Sequence, residues 1–256
     1  TLSLHDALPI LKERAHASNI RLDAADCSFI SPGPWWKRVL DISGALLGLI
    51  LLFPIFLLIG AYIKIVSPGP VFFTQERLGF RGRPFTILKF RTMHVCAGAC
   101  CHQDHAKDFI RNGDVAMEKL DAHDDRIIPF ARLLRATGLD ELPQLINVLE
   151  GDMSLVGPRP CLAYEAAEYE VWQHERFDAK PGLTGLWQVS GKNRTTFTEM
   201  IRFDARYGKR RSLVSDLLII CMTIPALFVQ VFDSVGKGRD AKDEKRMVQE
   251  GINDER

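Results

Sequence analysis

Charge disappears from residues 42–63, ISGALLGLILLFPIFLLIGAYI, and returns at once on both sides. These 22 residues, at about 1.5 Å each, reach roughly 33 Å as a helix, enough to cross a hydrocarbon core of about 30 Å. Trp35, Trp36, Lys37 and Arg38 before the run, and Tyr62 and Lys64 after it, suit a membrane–water interface. The run is too long for a secretory signal and has no small-residue cleavage site. Pro54 sits near its middle and removes a helix hydrogen bond, so a kink is expected there. Residues 64–93 carry Lys64, Arg77, Arg81, Arg83, Lys89 and Arg91 against the single acid Glu76. Cations on both flanks would keep both ends on the cytoplasmic side. A helix that enters, breaks at Pro54 and leaves by the same face satisfies this; the pattern alone slightly favours a kinked simple span. Asp41 lies one helical turn after Arg38, which predicts an anchoring ion pair at the level of the lipid headgroups.

Beyond the apolar run the periodicity shortens. Residues 71–75 and 85–90 predict two strands, joined through 79–84 into a hairpin, with Phe85, Ile87 and Phe90 packed and Lys89 and Arg91 projecting. Ile127, Ile128, Phe130, Leu133 and Leu134 recur at helical spacing and predict a helix over 127–135 with this face inward. Thr137-Gly138 ends it. A second helix is expected over 141–150, with Asp140 as N-cap, Pro143 in the first turn and Gly151 as the stop. Residues 161–179 read as an amphipathic helix, and Thr196-x-x-Glu199 is a capping box opening a helix to about Tyr207. Residues 213–232 are mostly apolar but interrupted by Asp216, Thr223 and Pro225. The uninterrupted core of about 13 residues is too short to span and suits an interface or core helix.

Composition narrows the function. A chain of 256 residues with net charge +1 can form one catalytic domain and carries no bulk charge for nucleic acid, nor any nucleic-acid-binding motif. Six scattered cysteines form no disulfide framework and suit a reducing compartment. His94, Cys96, Cys100, Cys101, His102 and His105 match no standard zinc spacing, and 94–124 reads as a variable helical excursion. Residues 1–10 read as a translated sequencing-library adapter, 11–36 as a linker or truncated N-terminus, 37–64 as the membrane helix, 65–235 as the catalytic domain and 236–256 as a charged, disordered tail.

The densest chemistry lies in 139–160, LDELPQLINVLEGDMSLVGPRP. Asp140 and Glu141 open a helix, where the dipole favours ionised carboxylates, the state a nucleophile or metal ligand requires. Acids cap helices everywhere, so capping alone would also explain Asp140. Pro158-Arg159-Pro160 is harder to assign to packing: the prolines restrict the backbone, and the presented guanidinium can grip a phosphate through two parallel hydrogen bonds.

These residues resemble the bacterial sugar transferases, monotopic polyprenyl-phosphate phosphoglycosyl transferases that initiate exopolysaccharide, capsule or O-antigen synthesis. The resemblance covers roughly residues 37–232. It includes Lys37-Arg38-x-x-Asp41, Pro70-Val71-Phe72-Phe73-Thr74-Gln75-x-Arg77-x-Gly79, Lys89-Phe90-Arg91-Thr92-Met93, Asp125-Arg126, the 139–160 run, residues 180–189 (KPGLTGLWQV), and Asp204, Tyr207 and Asp216. Phe53 and Gly138 stand where the family often has serine.

The resemblance implies an α/β, mainly α, membrane-associated fold with a re-entrant helix broken at Pro54, a small β-hairpin, and a helical catalytic domain with interface helices. It places the enzyme at the bacterial inner membrane with the catalytic domain on the cytoplasmic face. It implies Asp140 as the nucleophile on the β-phosphate of a UDP-sugar, Glu141 as the Mg²⁺ ligand, and Arg159, beside Pro158, as the nucleotide clamp. Lys89, Arg91, Arg126 and Arg135 would be supporting substrate-binding cations, and Arg38, Asp41 and Pro54 would belong to the membrane anchor. Undecaprenyl phosphate would be the acceptor, membrane lipid a partner and a homodimer an allowed assembly. The residues around Trp187 and 190–194 lean toward glucose or galactose. Two other functions stay open: a catalytically silent membrane-anchored scaffold of the same fold, and a glycosyltransferase that releases UDP rather than UMP.

Overall fold

The computed structural model of the chain describes residues 33–94, 126–191 and 195–232. The fold is mainly helical, with two small sheets and an apolar helix at its N-terminal side. Helix α1 spans Trp35–Val66 with Pro54 inside it, and the Ser67 N–H donates to Ile63 O at its end. Its ends pack on the rest of the protein, burying Lys37, Asp41 and Ala45 at one side and Ile59 and Ile63 at the other. Its middle does not: Leu46, Leu47, Ile50, Leu51, Phe53, Leu57 and Leu58 are exposed, the pattern expected of a helix that faces lipid.

Strands β1 (Phe72–Leu78) and β2 (Pro84–Phe90) form the expected antiparallel hairpin, with Gln75 opposite Ile87. β1 runs three residues further than expected, because Glu76, Arg77 and Leu78 continue the ladder opposite Thr86, Phe85 and Pro84, and the Leu78 N–H also donates to Cys161 O at 2.9 Å. Ile87 and Phe90 are buried as predicted, and Phe90 joins the Ile59 and Ile63 end of α1.

Helix α2 is shorter than predicted, Ala131–Thr137. Ile127 and Ile128 are taken by an extended pairing with 92–93, and Phe130 turns the chain at φ 63°. The expected inner face divides: Ile127 and Ile128 are core, whereas Phe130 and Leu133 are exposed. A tight turn, Leu139–Glu141, then leads into α3 (Gln144–Glu150), which Gly151 ends in the left-handed conformation as read from sequence.

Parallel strands β3 (Ser154–Val156) and β4 (Gly182–Thr184) pair next. Their backbones approach so closely that a Cβ on Gly157 would collide with Lys180 O, and one on Gly182 with the Gly157 nitrogen. Gly157→Ala is therefore expected to force the two segments apart at a cost of roughly 1–3 kcal/mol. Thermal unfolding of the purified protein tests this, and an unchanged midpoint would show that the contact has slack.

The predicted helix over 161–179 is replaced by a single turn, α4 (Ala163–Ala166), and a 3₁₀ helix, Val171–Asp178. Two side chains restart the chain: Glu165 accepts from the Leu162 N–H, and Gln173 from the Glu170 N–H. After α5 (Leu186–Val189) comes α6 (Phe197–Arg210), opened by the predicted Thr196–Glu199 capping box.

Helix α7, Leu213–Phe232, is continuous through Asp216, Thr223 and Pro225 and, unlike the sequence expectation, is long and apolar enough to cross a membrane by length and composition. It lies along the domain instead. Asp216, Ile219, Thr223 and Gln230 face inward, while Val214, Leu217, Leu218, Met222, Ile224, Phe228, Val229 and Phe232 are exposed.

Candidate active site

Asn147 fixes α3 against the hairpin. Its amide accepts from Leu88 N (3.0 Å) and donates to Thr86 O (2.8 Å), while its own carbonyl takes the N–H groups of Gly151, Asp152 and Met153. The carbonyl end of α3 is held by two cations: Arg38 donates to Val148 O (2.7 Å) and Leu149 O (2.6 Å), and Lys180 donates to Gly151 O (2.7 Å). The expected Arg38–Asp41 pair does not form. Asp41 is 3% exposed and accepts from Ser154 Oγ (2.8 Å) and Leu155 N (2.9 Å), so both residues dock α1 onto the catalytic domain rather than onto headgroups. Backbone donors and acceptors close by compensate these desolvated charges better than a headgroup layer would.

The opposite end of α3 carries the acids. Asp140 is buried within the turn, and the N-cap positions of the turn and of α3 are Gly138 and Pro143, so Asp140 does not take the N-cap position expected of it. Glu141 is half-buried and accepts from Lys89 Nζ at 2.6 Å, which joins two residues that the sequence placed in separate motifs. Gln144, one turn later, is 2% exposed, and its Nε2 has no hydrogen-bond partner among the described residues. Such an orphaned donor is costly unless something else accepts from it.

The supporting cations separate. Arg135 Nη1 lies 3.4 Å from Thr92 Oγ1, and Arg126 is half-buried. Arg91 turns inward instead of projecting: it is 5% exposed and donates to Ser67 O (2.6 Å) and Pro68 O (2.9 Å), fixing the end of α1.

Around Arg159, all three carbonyls of Pro158-Arg159-Pro160 are bound: Pro158 O by Gly182 N (2.8 Å), Arg159 O by Arg176 Nη2 (2.8 Å) and Pro160 O by Arg77 Nη1 (3.4 Å). Pro158 and Pro160 are buried and Arg159 half-buried. Arg176 is itself fixed by Asp204 (2.7 Å) and by the Tyr169 hydroxyl (2.7 Å). Burial pushes the Asp204 carboxyl up to about 6, against the pull of Arg176. Burial, and then the neighbouring Arg159, lower the affinity of Arg77 for its proton. Two guanidiniums held close enough to repel form a natural site for a multiply charged anion.

From sequence, Arg77 is one of several cations able to hold a phosphate and lies in a family motif, whereas Gln144, Asn147, Arg176 and Lys180 carry no assigned role. A polar residue on the inner face of an apolar helix was the available signal for Gln144 and Asn147; Arg176 had none. Among the described residues no cluster of three or more His, Cys, Asp or Glu could hold a metal. Of the suggested Cys/His stretch, only His94 lies within the described residues, with Nδ1 3.5 Å from Ser67 Oγ.

The family model for bacterial sugar transferases matches residues 33–230. A UDP-glucose:undecaprenyl-phosphate glucose-1-phosphate transferase of Caulobacter vibrioides is 44% identical over 199 residues, covering 75% of this chain and 69% of the relative. The exopolysaccharide production protein ExoY of Rhizobium meliloti is 39% identical over 196 residues, covering 75% and 84%. An undecaprenyl-phosphate galactose phosphotransferase of Salmonella typhimurium is 38% identical over 193 residues, covering 73% of this chain and 39% of its own length. The chain belongs to the bacterial sugar transferase family. It is a membrane-associated enzyme, a phosphoglycosyl transferase.

Proposed function

We propose that this enzyme transfers a hexose-1-phosphate from a UDP-sugar to undecaprenyl phosphate, as the first membrane step of polysaccharide synthesis. The observation that carries the reading is the turn at the start of α3, where a buried Asp140, at neither N-cap position, adjoins Glu141 paired to Lys89. Relatives named for glucose-1-phosphate and galactose phosphate transfer support the sugar class.

In this mechanism an Asp140 carboxylate oxygen attacks the β-phosphorus of the UDP-sugar. The bond from that phosphorus to the oxygen bridging it to the α-phosphate breaks, UMP leaves, and the phosphosugar stays on Asp140. A phosphate oxygen of the lipid then attacks the same phosphorus, forms the diphosphate linkage and frees Asp140. Arg159, with Arg77, holds the nucleotide phosphate. Lys89 keeps Glu141 oriented, and Gln144 donates to a phosphoryl oxygen.

Two adjacent carboxylates beside substrate phosphates fit Mg²⁺, which takes few protein ligands and shares phosphate oxygens. Glu141 would hold it, and when bound it would neutralise diphosphate charge.

The anchor is read as a re-entrant wedge broken at Pro54, lying on the cytoplasmic face of the inner membrane. Lys37, Arg38 and Asp41 bind the catalytic domain at one end of α1, while at the other Tyr62 OH donates to Pro129 O (2.6 Å). A straight span would carry one of these ends to the far side, away from the domain. The basic flanks favour the cytoplasmic face.

Identification of the nucleotide released from UDP-glucose or UDP-galactose tests the reaction: UMP is expected, UDP would mean direct glycosyl transfer, and no release would mean a silent scaffold. Gln144→Leu keeps the side chain's bulk and removes the amide. It is expected to lower kcat about 100-fold, the scale of one lost donor to a transition state, without lowering the unfolding midpoint. A variant with wild-type kcat would remove Gln144 from the site.

A further inference from the structure

Arg202, Arg206, Lys209 and Arg210 occupy one face of α6 at helical spacing. With Trp172, Glu175 and Ala205 they line a cleft of about 410 Å³ between α6 and the 3₁₀ helix Val171–Asp178. Glu175 pairs with Lys209 at 2.7 Å. Arg202, Arg206 and Arg210 make no ion pair or side-chain hydrogen bond among the described residues. Two further acids, Asp178 and Glu170, lie on this side; burial and Glu175 push the Asp178 carboxyl up, against the pull of Lys209, Arg211 and Arg81. The cleft thus keeps a surplus of positive charge beside an indole, whose ring nitrogen is already used on Glu170.

The position of the cleft gives this charge a meaning. Arg210 ends α6, and Arg211 and Ser212 lead directly into α7, whose exposed face begins with Leu213, Val214 and Leu217. The Arg211 guanidinium lies against Gly33, two residues before α1. Trp35 and Val171 are exposed nearby in the chain, at 79% and 91%. The cations therefore sit where both lipid-facing helices meet the domain, at headgroup level. The cleft is distinct from the acid pair. The part of α7 that reaches the Asp140 turn is Leu227, beside Gly138. Residue 227 is fourteen positions after residue 213, about 21 Å along the helix.

We propose that this cleft binds the phosphate headgroup of an anionic membrane phospholipid, with Arg206 and Arg210 as its principal ligands and Trp172 against the glycerol region, and so seats the domain on the bilayer. The site is independent of the phosphosugar transfer proposed above.

The test uses the full chain in zwitterionic micelles, titrated with short-chain phosphatidylglycerol, phosphatidylcholine or inorganic pyrophosphate, with the unfolding midpoint as readout, since a ligand of the folded state raises it. Phosphatidylglycerol is expected to raise the midpoint of the wild type. The double variant Arg206→Gln/Arg210→Gln should need at least about tenfold more lipid for the same rise. UMP release in micelles without anionic lipid should be unchanged in that variant, whose substitutions are exposed. An equal response from the variant, or from phosphatidylcholine, would overturn the proposal. So would pyrophosphate matching the lipid in the wild type alone, which would mean a site for soluble phosphates. A tenfold loss of UMP release in the double variant would place the cleft in the catalytic machinery and also refute it.

Discussion

Asp140→Asn is expected to abolish both UMP release and the phosphosugar adduct on the intact protein, with turnover falling on the order of 10⁴-fold or more, the scale of losing a covalent nucleophile. The amide keeps the volume and the backbone turn while removing the attacking oxygen's charge. Asp140 occupies neither N-cap position, so the unfolding midpoint should stay near that of the wild type. Intact mass spectrometry after brief exposure to a UDP-sugar reads the adduct directly. An adduct that persists in the variant would falsify the assignment of the nucleophile, even if UMP is still the product.

Asp216→Ala is expected to give the largest loss of stability. Lys37 and Asp216 meet at 2.7 Å with side chains 10% and 0% exposed. Lys37 also donates to Val156 O (2.9 Å), and the Tyr207 hydroxyl donates to Asp216 Oδ1 (2.8 Å). Burial and the adjacent Asp216 keep the Tyr207 phenol protonated well above its ordinary range, so it remains a donor. Removing Asp216 strands a buried ammonium, at about 3–5 kcal/mol, which is roughly 6–20 °C in unfolding midpoint for a domain of this size. Lys37→Met combined with Asp216→Leu should recover most of that loss, because a buried pair replaced by apolar groups is often neutral. A single variant within 2 °C of the wild type would mean that this pair does not tie α1 to α7.

Local signals in the chain were legible. The Thr196–Glu199 box and the Gly151 stop each depend on hydrogen bonds within a few residues, and each appears where read; the hairpin also forms from the two strands expected. The acids of 139–160 and Pro158-Arg159-Pro160 were likewise visible, although their roles came from resemblance rather than spacing. Readings that assumed a neighbour in sequence would be a neighbour in space failed. Arg38 and Asp41 share a helix face, yet each binds the catalytic domain. Arg91 follows Lys89 by two residues, yet only Lys89 reaches the acids. Phe130 and Leu133 were assigned to the core on a rule written for water, but they are exposed on a protein whose apolar helices call for lipid.

By itself the sequence determined the apolar run, the helix start at Thr196, the helix stop at Gly151, and the presence of two acids and a restrained arginine, because those depend on composition and short-range backbone geometry. Only the tertiary structure decided which charges are partnered. The carboxylate that neutralises Lys37 lies 179 residues away, and the guanidinium that fixes Arg159 is anchored by an aspartate on another helix. Desolvating a charge is so costly that its partner is set by whatever the fold brings within hydrogen-bond reach, at any separation along the chain.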